Sequence, residues 1–147
     1  MMEYVTMTSD HVPQVAQLEK ECFHDPWSEN SIGSELSNPL SLWLVAVDGQ
    51  RVAGYVGSQT VMDEADVMNI AVSAEYRRMG IAQELVERLV SALSQKGVHS
   101  LTLEVRASNE PAKALYSKLD FQQVGCRPNY YRNPKEDALI LRKEWQV

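Results

Sequence analysis

Val67-Met68-Asn69-Ile70-Ala71-Val72 and, four residues later, Arg77-Arg78-Met79-Gly80-Ile81-Ala82 decide how this chain folds. The first run is apolar and strand-like. The second opens a helix over 81–95, with Ile81, Leu85, Val86, Leu89, Val90 and Leu93 on one stripe and Gly97 as its stop. An Arg- and Gly-rich turn between a strand and a helix start presents unpaired backbone N–H groups, backed by the helix's partial positive end. That arrangement suits a phosphate or pyrophosphate. Gly80, with no side chain, lets the backbone approach such a ligand. The same residues also read as an ordinary helix start carrying two solvated arginines.

Strands and helices alternate outward from this point. Residues 3–7 read as a first strand. Residues 10–23 read as a helix with Val12, Val15, Leu18, Glu19 and Cys22 at helical spacing and Asp10 as its N-cap. Asp25-Pro26-Trp27-Ser28 breaks it, Ser28 restarts a short helix, and Asn38-Pro39 ends that one. Residues 40–47 and 52–60 flank the turn dipeptide Asp48-Gly49 as a hairpin. Beyond the long helix, residues 100–105 form a strand in which Leu101, Leu103 and Val105 point one way and Thr102 and Glu104 the other. Ser108 or Asn109 caps a helix to about Leu119, and 121–126 and 137–141 close the chain as strands. The order β-α-α-β-β-β-α-β-α-β-β predicts an α/β (α+β) sheet. It is mostly antiparallel, has helices on both faces, and carries one βαβ crossover around the anion turn.

At 147 residues the chain reads as one domain, 1–147, large enough for a substantial core. Hydrophobic residues make up 44% and charged residues 23%, an ordinary balance for a globular protein. A net charge of −6 argues against a general nucleic-acid binder and is compatible with a basic peptide or protein as partner. No apolar run approaches the roughly 18 residues of a membrane span. The N-terminus does not read as a secretory signal, so a cytoplasmic location is expected. Cys22 and Cys126 form no metal or disulfide pattern, and His11, His24 and His99 are scattered, so no metal is expected.

Beyond the anion turn, chemistry converges on two residues. Glu104 sits among apolar strand neighbours. It reads either as part of a solvated face or as a general base whose pKa rises with partial burial. Tyr116, on the last helix beside Ala112, Leu115 and Leu119, reads either as a packing residue or as a proton donor aimed into a cleft. Asn109 is the N-cap of that helix, and its amide can also reach a ligand. Tyr130-Tyr131 are placed in a Pro- and Asn-containing loop, where two adjacent aromatics suggest a binding surface. Trp27 is read as a packing anchor or as part of the same surface.

Several segments carry a family resemblance across nearly the whole chain. They are Pro26-Trp27-Ser28, Asp63-Glu64-Ala65, Asn69-Ile70-Ala71-Val72, the turn Arg77 to Ala82, Leu103 to Asn109, Ala114-Leu115-Tyr116 and Asn129-Tyr130-Tyr131. With these the chain resembles the GNAT superfamily of acetyl-CoA-dependent N-acetyltransferases. Within it, the chain is most similar to the RimI-type ribosomal-protein-alanine N-acetyltransferases. The resemblance implies acetyl-CoA as co-substrate, its pyrophosphate on the turn formed by Arg77, Arg78, Met79, Gly80, Ile81, Ala82 and Gln83. Ile70 and Val72 would hold the pantetheine arm, a backbone N–H near Ala71 would polarise the thioester carbonyl in a bulged strand, and Asn109 would touch the cofactor. It further implies Glu104 as general base and Tyr116 as general acid. Trp27, Tyr130 and Tyr131 would line the entry of the acceptor, the N-terminal peptide of a ribosomal protein. Asp120-Phe121 stands where the family has Gly-Phe, and Asp tolerates the left-handed backbone this predicts. Ile32-Gly33 replaces an aromatic in the helix that shapes the acceptor groove. Two other readings stay open: the same fold acting on lysine side chains or small-molecule amines, and a non-catalytic acyl-CoA-binding module.

Overall fold

The computed structural model describes residues 1–146. Its elements are β1 (Met2–Thr6), α1 (Val12–Cys22), α2 (Glu29–Ser34), β2 (Ser41–Asp48), β3 (Arg51–Val61), β4 (Glu64–Val72), α3 (Ile81–Gln95), β5 (Ser100–Arg106), α4 (Glu110–Lys118), β6 (Gln122–Tyr131) and β7 (Glu136–Glu144). Single 3₁₀ turns lie at Glu35–Ser37 and Ala74–Tyr76. The seven strands form one sheet in the order β1-β2-β3-β4-β5-β7-β6. Every neighbouring pair is antiparallel except β4 and β5, the two strands joined through α3.

Local chemistry accounts for most boundaries. The Ser28 hydroxyl accepts the Ser31 N–H at 3.1 Å and starts α2. Asn109 accepts the Ala112 N–H at 3.2 Å and starts α4. After α3, Gly97 takes φ +81, and the Gly97 and Val98 N–H groups return to the Ser94 and Leu93 carbonyls. This is a Schellman stop that an L-residue would strain. Asp120 takes φ +69, so the Asp-for-Gly difference lands on the left-handed position expected of it. The expected cap at Asp10 does not form. Helix α1 opens at His11, whose ring nitrogen instead accepts the Thr8 N–H at 2.9 Å.

Period-2 alternation in the strands divides the interior into two cores on opposite sheet faces. On one face α3 packs Leu85, Leu89 and Leu93 against Leu44, Ala46, Val56 and Leu101, with Leu103, Val105, Tyr116 and Phe121 extending the core under α4. Each such fully buried leucine contributes about 1.5–3 kcal/mol. On the other face α1 and α2 pack Val15, Leu18 and Ile32 against Trp43, Val45, Tyr55 and Ala71. This second core contains no residue of β5, β6 or β7, so that face of the sheet's far half lacks a helical cover.

Candidate active site

The anion turn runs from Ser73 to Gly80 between β4 and α3. Arg78 and Gly80 both take left-handed backbone, at φ +65 and +77, on either side of Met79. Glycine suits position 80 because L side chains rarely adopt that angle, not for want of space, since nothing stands where its Cβ would lie. The first α3 bond runs from the Glu84 N–H to the Gly80 carbonyl at 3.1 Å. The N–H groups of Met79, Gly80, Ile81, Ala82 and Gln83 therefore meet no acceptor among the described residues. Five donors at a helix N-terminus form a cradle fitted to a pyrophosphate. Arg78 is exposed beside it. Arg77 is turned away: its Nε donates to the Val72 carbonyl at 3.4 Å and a terminal nitrogen lies 4.0 Å from Cys22 Sγ.

An opening in the sheet adjoins this cradle. β4 and β5 pair only at Glu64–Asp66 with Ser100–Thr102, and beyond those residues the strands part. Gly57 pairs with Asn69 and Ser58 with Val67, which leaves Met68 as an extra residue in β4. Such a bulge bends its strand, here at the point where β4 leaves β5. The Ser73 N–H donates to the Ala53 carbonyl at 2.8 Å. Antiparallel alternation then directs the Ala71 amide towards β3 as well, and the Ile70 and Val72 amides towards the opening. Of the amides near Ala71, that of Ala71 itself is taken up by the ladder and those of Ile70 and Val72 face the opening.

Glu104 and Tyr116 lie on opposite faces of the sheet, Glu104 on β5 just beyond the last residue paired with β4. Glu104 lies on the face without a helical cover, its side chain 30% exposed, with Arg127 Nε 3.6 Å from Oε2. That oxygen is enclosed and has no hydrogen-bond partner. Tyr116 belongs to the α3–α4 core and packs edge-on against Phe121, with ring centroids 5.3 Å apart. Burial pushes its hydroxyl up to about 12. The hydroxyl has no protein partner and is not among the fully enclosed polar atoms.

The aromatic pair differs from its expected setting. Tyr130 and Tyr131 end strand β6 rather than occupying a loop, because β6 continues past Pro128 through an irregularity between Arg127 and Tyr131. Their rings meet edge-on at 5.2 Å. Arg106 stacks over Tyr131 at 4.4 Å and donates to the Pro134 and Arg132 carbonyls, which anchors the β6–β7 hairpin. Burial, and secondarily the Glu104 charge, push the Tyr131 hydroxyl up to about 12. Trp27 is half-buried, edge-on to Trp43 at 5.5 Å, at the rim of the α1–α2 core. The Asn109 carbonyl oxygen is occupied by its cap, which leaves its amide nitrogen free for a ligand.

Three residues that shape the site were not singled out from sequence: Arg106, Arg127 and Glu19. Glu19 carried a signal, a carboxylate on the apolar stripe of α1. Arg106 and Arg127 carried none, since their partners lie far along the chain.

Residues 12–121 match the Acetyltransferase (GNAT) family, and the chain belongs to it. Among curated proteins it is 39% identical to the ribosomal protein bS18-alanine N-acetyltransferase of Salmonella typhimurium, over 92% of each chain. It is 36% identical to the enzyme of that name from Escherichia coli K12, over 92% of this chain and 93% of that one. Among solved structures, the ribosomal-protein-S18-alanine N-acetyltransferase from Escherichia coli superposes with a TM-score of 0.92 at 34% identity, covering 100% of this chain and 96% of that one. Arabidopsis thaliana NAA60 in complex with a bisubstrate analogue gives 0.90 at 18% identity, covering 98% of each, a likeness of fold alone.

Proposed function

We propose that this protein transfers the acetyl group of acetyl-CoA to the α-amine of an N-terminal alanine, the acceptor being a small-subunit ribosomal protein in the cytoplasm. One observation carries the reading: Glu104, with an oxygen that accepts no hydrogen bond, lies on β5 where it parts from β4, across from a β4 edge whose Ile70 and Val72 amides face the opening and which runs into the turn of free amides. Similarity to two alanine N-acetyltransferases over nine-tenths of the chain supports the acceptor.

Acetyl-CoA supplies the activated acyl group, and the remaining tasks fall on this chain. The amides of Met79 to Gln83 hold the pyrophosphate. The Ile70 and Val72 backbone, on the open edge of β4, aligns the pantetheine arm and offers an N–H to the thioester oxygen. An α-amine has a pKa of roughly 7.7–8.0, so at neutral pH it must shed a proton before attacking. Glu104 accepts that proton, directly or through a water, from the face where Tyr130, Tyr131 and Trp27 line the approach. Tyr116, protonated at neutral pH, donates a hydrogen bond to the departing sulfur from the other face. Its raised pKa makes it a stabiliser of the thiolate more than a strong acid, which suffices because a thiol pKa is near roughly 8.5. Holding amine and thioester together in the gap contributes at least as much as either proton transfer. A net charge of −6 favours encounter with a basic acceptor tail.

Mass spectrometry tests this with acetyl-CoA and two peptides, one beginning with free alanine followed by basic residues and a lysine, the other N-terminally blocked. Acetylation of the free α-amine alone is expected. Modification of the blocked peptide would move the acceptor to lysine.

A further inference from the structure

A fully buried carboxylate outside the reacting pair joins the two substrate sides of the gap. Glu19 on α1 is 0% exposed. Its Oε1 accepts the Trp27 backbone N–H at 2.9 Å, and the Asn69 side-chain amide donates to both oxygens, at 3.1 and 2.8 Å. The Tyr55 hydroxyl donates to Oε2. A carboxylate has about four acceptor positions, and these four contacts fill them. Such a group is costly to bury and gains from being fully satisfied.

The partners give this cluster its meaning. Asn69 immediately follows Met68, the extra residue that bends β4 away from β5, and immediately precedes Ile70, whose amide faces the gap. Trp27 belongs to the segment between α1 and α2, on the same sheet face as Glu104. Trp27, Trp43 and Tyr55 also form an aromatic column, edge-on at 5.5 Å and stacked at 5.9 Å. Glu19 ties both ends of that column to the bulge.

We infer that Glu19 is a positioning residue: through Asn69 it fixes the bulge that sets the acyl-binding edge of β4, and through the Trp27 amide it fixes the acceptor segment to that edge. The inference rests on the proposed function, since it assigns Trp27 to the acceptor side. A Glu19 confined to stability would affect only how much protein is folded. A positioning Glu19 sets the alignment of the two substrates in protein that is fully folded.

Steady-state kinetics with the free-alanine peptide separate the two, alongside thermal melts and acetyl-CoA titration of each variant. Asn69→Ala leaves Glu19 with Tyr55 and Trp27 and should fold. It is expected to lower kcat by about tenfold at unchanged peptide KM, as both contacts of the Asn69 amide with Glu19 are lost. Glu19→Gln keeps the shape and is expected to raise the peptide KM and lower kcat together. Tyr55→Phe removes one hydroxyl contact to Glu19 and keeps the ring, the Asn69 contacts at the bulge and the Trp27 N–H contact. It should lower the melting temperature while kcat and KM stay within about twofold. Equal losses in Tyr55→Phe and Asn69→Ala, or losses that only follow the folded fraction, would overturn the positioning role. A wild type that acetylates no peptide would instead overturn the proposed function itself, so the two failures are told apart by the wild-type assay.

Discussion

The sheet has two halves that solve different problems. Around β2, β3 and β4, helices cover both faces, and the two buried carboxylates, Glu19 and Glu35, carry hydrogen bonds on both oxygens. Glu35 accepts from Trp43 Nε1 at 3.1 Å and Gln59 Nε2 at 2.9 Å, and although burial opposes it, these bonds hold its carboxyl below the usual range. Glu19 is satisfied in the same way. Around β5, β7 and β6, one face is bare, and its charged and aromatic groups are incompletely paired: Glu104 has an oxygen without a hydrogen bond, and Tyr130 is 49% exposed. The first half is built to be rigid. The second leaves acceptor capacity unused, which a catalyst needs and a core does not. The gap between β4 and β5 is the boundary, and Glu104 lies on the strand at its far side.

Substitutions that act on one half alone test this division. The largest effect is expected from Glu104→Gln, a loss of about 10²–10⁴ in kcat, with acetyl-CoA affinity and melting temperature retained; a matching loss of stability would show that Glu104 belongs to the rigid half. Leu89→Ala, in the α3 core, should cost about 2–5 kcal/mol in chemical denaturation while kcat of the folded protein is kept. A Cβ on Gly57 would stand 2.3 Å from the Trp43 indole, beside the bulge. Gly57→Ala should therefore cost about 1–3 kcal/mol by overpacking, and any accompanying change in kcat would link the bulge to turnover.

Alkaline titration gives a subtler contrast. The hydroxyls of Tyr116 and Tyr131 are both pushed up to about 12 by burial, from an ordinary value of 10.0. Folding therefore favours their neutral forms. That contribution is fully present below pH 10 and is lost as pH rises towards 12, because the unfolded chain ionises first. Tyr116→Phe should flatten the alkaline fall in melting temperature more than Tyr131→Phe, since Tyr131 keeps more contact with water. The smallest effect is expected from Arg127→Gln, whose ion pair with Glu104 is half in solvent. Its melt should stay within about 1 kcal/mol of wild type.

Element order, the strand–turn–helix carrying the anion cradle, the caps at Ser28 and Asn109, the stop at Gly97 and the left-handed Asp120 were all legible in the sequence. Each is decided by a few adjacent residues through hydrophobic period, cap chemistry or allowed backbone angles. The pairing of Glu104 with Tyr116 came from family resemblance, and local reading left both open. Only the tertiary structure decided that Ala71 turns its amide into the ladder, that Tyr130 and Tyr131 extend a strand, and that Arg127 meets Glu104. It alone brought Glu19, Tyr55 and Asn69 into one buried cluster. These depend on strand register and on contacts across tens of residues, where a shift of one position reverses which face a group occupies. Periodicity within a segment says which residues share a face, and packing between segments decides what that face meets.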